Sequence, residues 1–355
     1  MRGPRAGTSF CPLVLDNRTP AARIIGGHRV SILLLLIKTV DDDGRLSLVS
    51  GFLETPWELE VVDVDDAARF ERALERADAM VSMNWRWDVP ASANLKLLQL
   101  PGAGTDEIDF SCLPAGVAVC NCFEHEIGIA EYVMATMLEW SIGIRRLDQQ
   151  FRRGSWAGSY LLGPRHGEVF GKTVGILGYG HIGREVARRA RAFGMRVVCC
   201  TRRPTPDHVA DEVLGMDRLP DLLIDSDFVV VALPLTDETR GLLNRTALES
   251  MRPTAVLINV ARAAIVDEAA LFAALSEKRI GGAVLDVWYR YPLRQRPEPT
   301  SPSALPFHDL DNVIMTPHAS GWTDGLLARR NRAIATNLNR LALGQPLLNV
   351  VRAAV

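Results

Sequence analysis

The feature that most constrains the fold of this chain is a glycine-rich segment between a predicted strand, Thr173–Leu177, and a predicted helix, Ile182–Phe193. The first glycine permits a tight turn, the second lets the backbone approach a pyrophosphate, and the third lets the helix pack closely on the strand. The helix N-terminus then offers N–H groups to the phosphates. A dinucleotide site is therefore predicted, with a ligand-free turn as the alternative. The segment reads Gly178-Tyr179-Gly180-His181-Ile182-Gly183.

Strand and helix patterns alternate on both sides of this segment. Helical spacing predicts helices at Asp66–Ala77, from Ile127 to about Arg153, and at Leu326–Leu343. Alternation of this kind predicts parallel sheets covered by helices, which is an α/β fold. The predicted strands are Ser31–Ile37, Glu60–Val64, Ala79–Met83, Leu95–Leu100, Val117–Cys122, Thr173–Leu177, Arg196–Cys200, Phe228–Ala232, Ala255–Asn259, Gly282–Asp286 and Val313–Met315.

The overall composition argues against several classes of protein. The 355 residues carry a formal net charge of −2, without the basic excess that attracts nucleic acid. The longest apolar run, Val30–Ile37, is too short to span a bilayer, and Met1–Arg29 lacks a signal-peptide layout. No Cys/His spacing is typical of a metal site. We therefore expect a cytoplasmic protein with no metal, no nucleic-acid partner and no membrane contact, and we interpret residues 1–28 as a flexible tail.

The end of the strand after the glycine-rich segment bears on the choice of cofactor. In NAD-binding domains an Asp or Glu at this point binds the adenosine ribose. Here the position holds Thr201, and Arg202 and Arg203 follow it. A carboxylate would repel a 2′-phosphate, whereas a threonine and two arginines would bind one. The sequence therefore predicts NAD(P) as cofactor and favours NADP over NAD. The alternative is that both arginines are simply solvated.

Six segments, in order, resemble the D-isomer-specific 2-hydroxyacid dehydrogenases, a family that includes phosphoglycerate, glyoxylate and formate dehydrogenases. The resemblance runs from Leu95 to about Leu341. It implies two doubly wound parallel-sheet domains, a Rossmann cofactor domain inserted into a flavodoxin-like substrate domain. We expect residues 29–124 and 322–355 to form the substrate domain, and residues 125–321 the dinucleotide-binding domain. The segments are Leu98–Gly104, Gly171–Gly183, Leu233–Gly241, Leu257–Arg262, Val284–Trp288 and Thr316–Gly321.

The resemblance also implies catalytic roles. Arg262 would bind the substrate carboxylate and polarise the reacting oxygen, tasks that suit a planar guanidinium. His318 would be the acid/base that exchanges the hydroxyl proton while hydride moves to or from the nicotinamide. The loop Gly102-Ala103-Gly104 would present backbone N–H groups to the carboxylate. The alternatives are a surface arginine and a structural histidine.

Further residues are expected around the cofactor and the substrate. Asp286 would hold the nicotinamide carboxamide. By position, Asn84 and Arg86 would enter the substrate cleft, unless Trp85 and Trp87 make their segment a packed loop. The remaining residues expected to line the cofactor are Leu233, Pro234, Thr239, Val260, Ala261, Ser320 and Gly321.

One expected catalytic residue is missing. Most members of the family have a glutamate three residues after the position of Asp286, where it pairs with the catalytic histidine, but this chain has Tyr289. Without that carboxylate the pKa of His318 should be lower than in relatives. A lower pKa disfavours reduction of a keto acid, in which His318 must give up a proton, more than oxidation of an alcohol.

Three explanations for this departure remain open. A phenol, from Tyr289 at the usual glutamate position or from Tyr291, would orient His318 instead. A carboxylate from elsewhere, such as Glu124 or Glu126, would fold in. In the third explanation the protein has lost turnover and only senses the cofactor.

The function we expect is hydride transfer between NAD(P) and a small 2-hydroxy or 2-keto acid. Its catalytic residues would be Arg262, His318 and Tyr289. By resemblance alone we expect a homodimer. The alternative from another class is a nucleotide-sensing regulator, because transcriptional corepressors also resemble this family. Retention of both Arg262 and His318 favours the enzyme.

Overall fold

Two parallel β-sheets flanked by helices form the framework of the chain. The computed structural model describes residues 24–25, 28–29, 32–38, 47–88, 93–292 and 300–354, so most of the tail predicted at 1–28 lies outside the described residues. The strands are β1 (Ile24–Ile25), β2 (His28–Arg29), β3 (Ile32–Lys38), β4 (Trp57–Asp63), β5 (Ala79–Val81), β6 (Leu97–Gln99), β7 (Ala118–Cys120), β8 (Thr173–Leu177), β9 (Arg196–Thr201), β10 (Glu212–Gly215), β11 (Phe228–Val231), β12 (Val256–Asn259), β13 (Gly282–Leu285), β14 (Val313–Met315) and β15 (Val350–Arg352).

The smaller sheet has the order β15-β7-β6-β5-β3-β4. All neighbouring strands run parallel except β15, which pairs antiparallel with β7. Without β15, the order is that of a flavodoxin-like domain. The strands β1 and β2 form a separate antiparallel pair.

The larger sheet is entirely parallel and has the order β10-β9-β8-β11-β12-β13-β14. Its first six strands have the order of a Rossmann domain, and the predicted α/β fold with two doubly wound sheets is confirmed. The edge strand β10 was not predicted from the sequence. It is only four residues long and mostly half-buried, so it lacks the continuous apolar run that marks the central strands.

The helices cover both faces of the sheets, and one prediction about them is wrong. The pattern from Ile127 to about Arg153 is two helices rather than one, because Gly143 adopts a left-handed φ of 71° and ends the first of them. The helices are α1 (Ala67–Arg76), α2 (Glu126–Ile142), α3 (Ile144–Arg152), α4 (His181–Ala192), α5 (Leu219–Asp225), α6 (Arg245–Glu249), α7 (Glu268–Ser276) and α8 (Asp324–Ala342).

The length and polarity of these helices bear on membrane crossing. No single helix among the described residues is long and apolar enough to cross a bilayer. Within the part of the chain that the structure describes, α2 and α3 taken together pass a test of length and composition, and they are bent by 53° at the break between them.

Helix α8 returns the chain to the smaller sheet. Its residues Ile334, Ala335 and Leu338 are buried in one cluster with Val81 of β5 and Leu97 of β6. The predicted domain boundaries at 124/125 and 321/322 stay predictions. In parallel α/β sheets, ligands bind outside the carboxyl ends of the strands. The residues that follow β8, β12, β13 and β14 are therefore the place to look for a functional site.

Candidate active site

The glycine-rich turn joins β8, the strand at the middle of the larger sheet, to α4. Gly178 has a φ of 100°, in the left-handed region, and a Cβ there would lie 2.5 Å from the carbonyl oxygen of Ala232. A Cβ on Gly183 would lie 2.1 Å from the carbonyl oxygen of Gly178. Side chains at these two positions would therefore prevent the sharp turn and the close packing of α4 on β8.

The same turn leaves room for a phosphate group. A Cβ placed on Gly180 would meet no atom within 4 Å. Gly180 is the N-cap of α4, and no side chain caps this helix. The first N–H groups of α4 are therefore available to an anion. Open space and free donors at a helix N-terminus fit the pyrophosphate of a dinucleotide.

The other residues of the turn make contacts of their own. The Tyr179 ring lies 4.4 Å from the guanidinium carbon of Arg184, measured to the ring centroid. The His181 ring stacks on Phe123, with centroids 3.7 Å apart. Ile182 packs against the apolar core of the larger sheet. Since Phe123 follows β7 of the smaller sheet, the His181–Phe123 stack is a contact between the domains of the two sheets.

The residues predicted to choose between NAD and NADP lie at the end of β9. Thr201 is half-buried, whereas Arg202 and Arg203 are exposed. A hydrogen bond from Thr236 and the charge of Arg202 both contribute to a lowered pKa of Glu238. Arg202 therefore lies near the loop that follows β11, on the same edge of the sheet as the glycine-rich turn.

The residues expected to line the cofactor follow β11 and β12. The Thr239 hydroxyl donates to the carbonyl oxygen of Pro234 at 2.7 Å and accepts from the backbone N–H of Thr236 at 2.8 Å, so it closes the loop after β11. Pro234 is exposed beside it. The buried members of the set are Leu233, Thr239, Val260 and Ala261.

Arg262 follows β12, and part of its guanidinium is already engaged. Nε and Nη2 donate to the carboxylate of Asp106 at 3.2 and 3.0 Å, and Nη1 donates to the carbonyl oxygen of Ala261 at 2.9 Å. The buried Asn259 shapes this turn, because its side chain donates to the carbonyl oxygen of Arg262 at 3.0 Å and accepts from the N–H of Ala261 at 3.1 Å. One N–H on Nη1 and one on Nη2 remain, and such a pair binds a carboxylate through two hydrogen bonds.

The loop Gly102-Ala103-Gly104 lies against this guanidinium. A Cβ on Gly104 would lie 2.3 Å from Nη2 of Arg262. The carbonyl oxygens of Gly102 and Ala103 accept hydrogen bonds from Cys122 and Asn121, both at 3.0 Å, and so face β7. Among the described groups, none accepts a hydrogen bond from the N–H of Ala103 or of Gly104. These two donors are free to bind an anion beside Arg262.

Asp286 shapes the loop that carries His318. Its carboxylate accepts hydrogen bonds from the hydroxyl of Thr316 at 2.6 Å and from the backbone N–H groups of Ala319 and Ser320 at 2.8 and 3.0 Å. Within this loop His318 has a φ of 57°, in the left-handed region, which histidine adopts more readily than most residues. Asp286 therefore sets the position of the imidazole.

The expected role of Asp286 as the residue that holds the nicotinamide carboxamide stays a prediction. Its side chain is 0 % exposed, and both carboxylate oxygens accept hydrogen bonds from the loop. The Asp286 carboxylate accepts these hydrogen bonds because a buried carboxylate needs several donors to replace its lost hydration. The Thr316 hydroxyl is itself 2.7 Å from the hydroxyl of Tyr132 on α2, which extends the network towards the connection between the domains.

Tyr291, and not Tyr289, contacts the imidazole. The Tyr291 hydroxyl lies 3.0 Å from Nδ1 of His318 and accepts from the backbone N–H of Trp288 at 3.2 Å. The Tyr289 hydroxyl donates instead to the carbonyl oxygen of Val266 at 3.0 Å. The prediction that Tyr289 takes part in catalysis is therefore not supported, because its hydroxyl is used by the backbone on the other side of the loop.

The two glutamates considered as replacements lie elsewhere. The carboxylate of Glu124 is 3.6 Å from Nε of Arg329, and Glu126 begins α2. Neither forms a hydrogen bond with His318 within the part of the chain that the structure describes. Of the open explanations, the phenol of Tyr291 agrees best with the contacts.

The electrostatic surroundings favour a neutral His318. The protein around the ring lowers its pKa below the usual 6.5 by removing water, the charge of Asp286 acts in the opposite direction, and the charge of Arg262 lowers it further. The charge of Arg262 also acts on Tyr291, whose pKa is raised by burial. Arg262, His318 and Tyr291 therefore lie close enough to one another for their charges to interact.

The remaining predicted residues have structural surroundings. The carbonyl oxygen of Asn84 accepts from the Ser82 hydroxyl at 2.5 Å, and the neighbouring Trp85 and Trp87 rings pack together with centroids 5.4 Å apart. The predicted packed loop is thus present, and nothing places the Asn84 side chain in the cleft. Ser320 and Gly321 lie in the His318 loop, where Gly321 faces the side chains of Ile129 and His125.

Comparison with known proteins agrees with this geometry. A family model described as "D-isomer specific 2-hydroxyacid dehydrogenase, NAD binding domain" matches residues 134–320, more than half of the chain. The chain is also 33% identical to the glyoxylate reductase of Pyrococcus furiosus, over 83% of this chain and 89% of that protein. The chain belongs to the D-isomer specific 2-hydroxyacid dehydrogenase family. The predicted resemblance is confirmed, and with it membership of a family of NAD(P)-dependent oxidoreductases that act on CH–OH donors.

Two further relatives define the extent of the similarity to this dehydrogenase family. The D-3-phosphoglycerate dehydrogenase of Archaeoglobus fulgidus is 32% identical over 81% of this chain, but the match covers 52% of that protein. The chain thus spans about half the length of this relative. The solved structure of a family dehydrogenase from Xanthobacter autotrophicus Py2, in complex with NADPH and MES, superposes with a TM-score of 0.74 at 29% identity and covers 91% of this chain and 98% of that one.

Several supporting residues of this family member were missed from the sequence. Asn259 and Thr316 lie inside segments that carry the family resemblance, yet their hydrogen bonds depend on folded turns. Asp106 stands two residues after Gly104, and only the fold brings it to Arg262. Within the described residues, no group of three or more His, Cys, Asp or Glu side chains is placed to hold a metal ion.

Proposed function

We propose that this 2-hydroxyacid dehydrogenase transfers a hydride between NADP and the second carbon of a small 2-keto or 2-hydroxy acid. The observation that carries the proposal is the free donor pair of Arg262, which lies beside the open N–H groups of Ala103 and Gly104 and near the His318–Tyr291 pair. A substrate that fits these groups has an anionic group for Arg262 and an oxygen that exchanges a proton with His318. Two relatives, named glyoxylate reductase and D-3-phosphoglycerate dehydrogenase, support an acid of this class.

Each side chain has a separate task in this reaction. The bound nicotinamide supplies or accepts the hydride. Arg262 binds the carboxylate and polarises the reacting oxygen, with added donors from Ala103 and Gly104. Since Nδ1 of His318 faces Tyr291, Nε2 is the nitrogen that exchanges a proton with that oxygen. It gives the proton during reduction and takes it during oxidation.

A phenol differs from the usual glutamate in what it does to His318. The Tyr291 oxygen accepts from the Trp288 N–H and keeps a second lone pair, which accepts from Nδ1–H of His318 when Nε2 is the nitrogen that exchanges the proton. An uncharged phenol at Nδ1 stabilises the imidazolium less than a glutamate does, so His318 stays neutral, with its proton on Nδ1 and Nε2 free, more readily than a glutamate-paired histidine. Neutral His318 is the base that oxidation needs. Reduction needs the imidazolium and should therefore be faster at acidic pH.

A nicotinamide absorbance assay tests the proposed function. Reduction is followed with NADPH and glyoxylate, hydroxypyruvate, pyruvate or oxaloacetate, and oxidation with NADP and glycolate, D-glycerate or D-lactate. Turnover of at least one of these acids is expected. Tight binding of NADPH without turnover of any acid would favour the nucleotide-sensing regulator, an alternative that receives no support from the matched proteins.

The preference for NADP is tested at the end of β9. Arg202→Ala is expected to weaken NADP binding about ten-fold or more, because a charge-assisted hydrogen bond to the 2′-phosphate is lost. NAD binding should change by less than about two-fold, since NAD has no such group. Fluorescence titration measures both affinities. Arg152→Ala, on the exposed face of α3, is the control, and equal losses for the two nucleotides would refute the assignment.

The role of Tyr291 is tested against Tyr289. Tyr291→Phe is expected to lower kcat about ten-fold with little change in KM, because the lost hydrogen bond orients His318 without touching the substrate. The matched control, Tyr289→Phe, removes only the bond to Val266. It should keep kcat within about two-fold and cost about 1 kcal/mol in the free energy of unfolding. Similar losses of kcat in the two variants would contradict this role.

The expected homodimer also belongs to the proposal. Between α3 and β8 the chain exposes large apolar side chains, including Tyr160 at 95% and Leu161 and Leu162 at 74% each. Clustered apolar exposure of this kind is typical of a protein interface. Sedimentation at twice the 39.0 kDa of one chain would support the dimer, and sedimentation at that mass would reject it. A cytoplasmic location and the lack of nucleic-acid and membrane partners stay predictions.

A further inference from the structure

The Asp106–Arg262 ion pair connects the two domains across the cleft. Asp106 lies in the loop after β6 of the smaller sheet, and Arg262 follows β12 of the larger sheet. Both oxygens of Asp106 accept, from Nε at 3.2 Å and from Nη2 at 3.0 Å. The side chains of Arg262 and Asp106 are 36% and 29% exposed, so the pair is partly accessible to solvent and to a bound substrate.

The side of the guanidinium that Asp106 occupies decides what the ion pair does. A guanidinium presents two forks, one formed by Nε and Nη2 along its side, the other by Nη1 and Nη2 at its end. Asp106 takes the side fork and Ala261 takes one N–H of Nη1, so one N–H on Nη1 and one on Nη2 have no acceptor among the described residues. A substrate carboxylate and Asp106 therefore bind at the same time and do not compete for the same donors.

We propose that Asp106 is a positioning residue that fixes the plane of Arg262, so that the end fork faces the substrate carboxylate. The inference rests on the proposed function, because that function assigns binding of the substrate carboxylate to Arg262. Three contacts hold the plane: the Asp106 carboxylate, the carbonyl oxygen of Ala261 on Nη1, and the backbone of Gly104 against Nη2. Only the first of them is supplied by a side chain from the opposite domain.

The ionisation of Asp106 suits this role. Burial alone would raise the pKa of Asp106, but the hydrogen bond and the charge of Arg262 outweigh burial, and the pKa is lowered. The carboxylate therefore stays ionised at neutral pH. Its charge also offsets that of Arg262, so that substrate binding there depends on the direction of the fork more than on net positive charge.

Binding of oxalate tests the inference without any need for turnover. Asp106→Asn keeps the shape of the side chain but places an amide N–H group against Nη2, where donor faces donor, and this turns the fork away. In the presence of NADPH we expect the Kd of oxalate to rise about ten-fold or more, because a small misplacement of a binding group is costly. Glu107→Gln is the matched control: Glu107 is the next residue and pairs with Arg86 on the surface at 2.6 Å. It should leave the Kd within about two-fold.

A double-mutant cycle separates positioning from other effects. If Asp106 acts through Arg262, Asp106→Asn in the Arg262→Gln background should change the Kd of oxalate by no more than about two-fold further. An unchanged or lower Kd in Asp106→Asn alone, or equal effects in both backgrounds, would overturn the inference. The NADPH-binding stoichiometry of each variant verifies folding. Failure of the proposed function would give a different result, because the wild-type protein would then turn over none of the acids in the absorbance assay.

Discussion

Replacement of His318 by glutamine is expected to lower kcat in both directions by about 10²- to 10⁴-fold, the usual contribution of general acid–base catalysis. Glutamine keeps a polar side chain in the loop that Asp286 shapes, but it exchanges no proton with the substrate. The KM for the acid should change little, since Arg262 and the glycine loop bind the carboxylate. Steady-state kinetics with glyoxylate and NADPH measure both parameters. A variant that keeps more than a tenth of the wild-type kcat would show that another group supplies the proton.

The pH dependence of the same pair of proteins gives an independent check. The pKa of His318 is lowered below 6.5 by its surroundings, so the imidazolium needed for reduction disappears as the pH rises through that pKa. For the wild type, kcat/KM of reduction should therefore fall with rising pH, and that of oxidation should rise, with an inflection below 6.5. The inflection should be absent in His318→Gln. An inflection above 6.5 would mean that a negative charge outweighs the loss of water around the ring.

Arg262→Gln is expected to have an effect of similar size through binding. Two charge-assisted hydrogen bonds to the carboxylate and the polarisation of the reacting oxygen are lost together, so kcat/KM should fall by about 10³-fold or more. In contrast to His318→Gln, much of the loss should be a rise in KM. Arg262→Lys keeps the charge without the fork and should recover only part of the activity.

Two results would contradict this assignment of Arg262. One is an unchanged KM in Arg262→Gln, which would place the substrate carboxylate elsewhere. The other is full activity in Arg262→Lys, which would mean that charge alone is sufficient. NADPH affinity should be unchanged in both variants and serves as the control for folding.

The order of elements and the position of the cofactor turn could be predicted because they depend on local patterns. The strand β8 and the strand β14 have the predicted bounds, since each is a short apolar run between polar residues. Gly178 and Gly183 mark a turn that could not form if either residue carried a side chain. Gly143, by contrast, interrupts a helical pattern whose apolar spacing continues on both sides, so the break between α2 and α3 was not visible in that spacing.

The contacts around the reacting groups could not be read from spacing, because they join distant parts of the chain. Position in sequence favoured Tyr289 as the substitute for glutamate, but the turn after β13 directs that side chain to Val266 and brings Tyr291 to His318. The hydrogen bonds by which the buried Asp286 shapes the His318 loop were likewise not visible in the sequence. Asp106 precedes Arg262 by 156 residues, and nothing local to either residue indicates the other.

The connection of the two sheets determines the order in which a growing chain is able to complete them. Every strand of the larger sheet comes from the continuous stretch between Thr173 and Met315. The smaller sheet begins first, yet its apolar face is covered by Ile334 and Leu338, and its last edge is added by Val350–Arg352. During synthesis on the ribosome the cofactor-binding half is thus complete while its partner still lacks part of its core. The first strands of the smaller sheet are therefore synthesised well before the residues of α8 and β15 that cover and extend it.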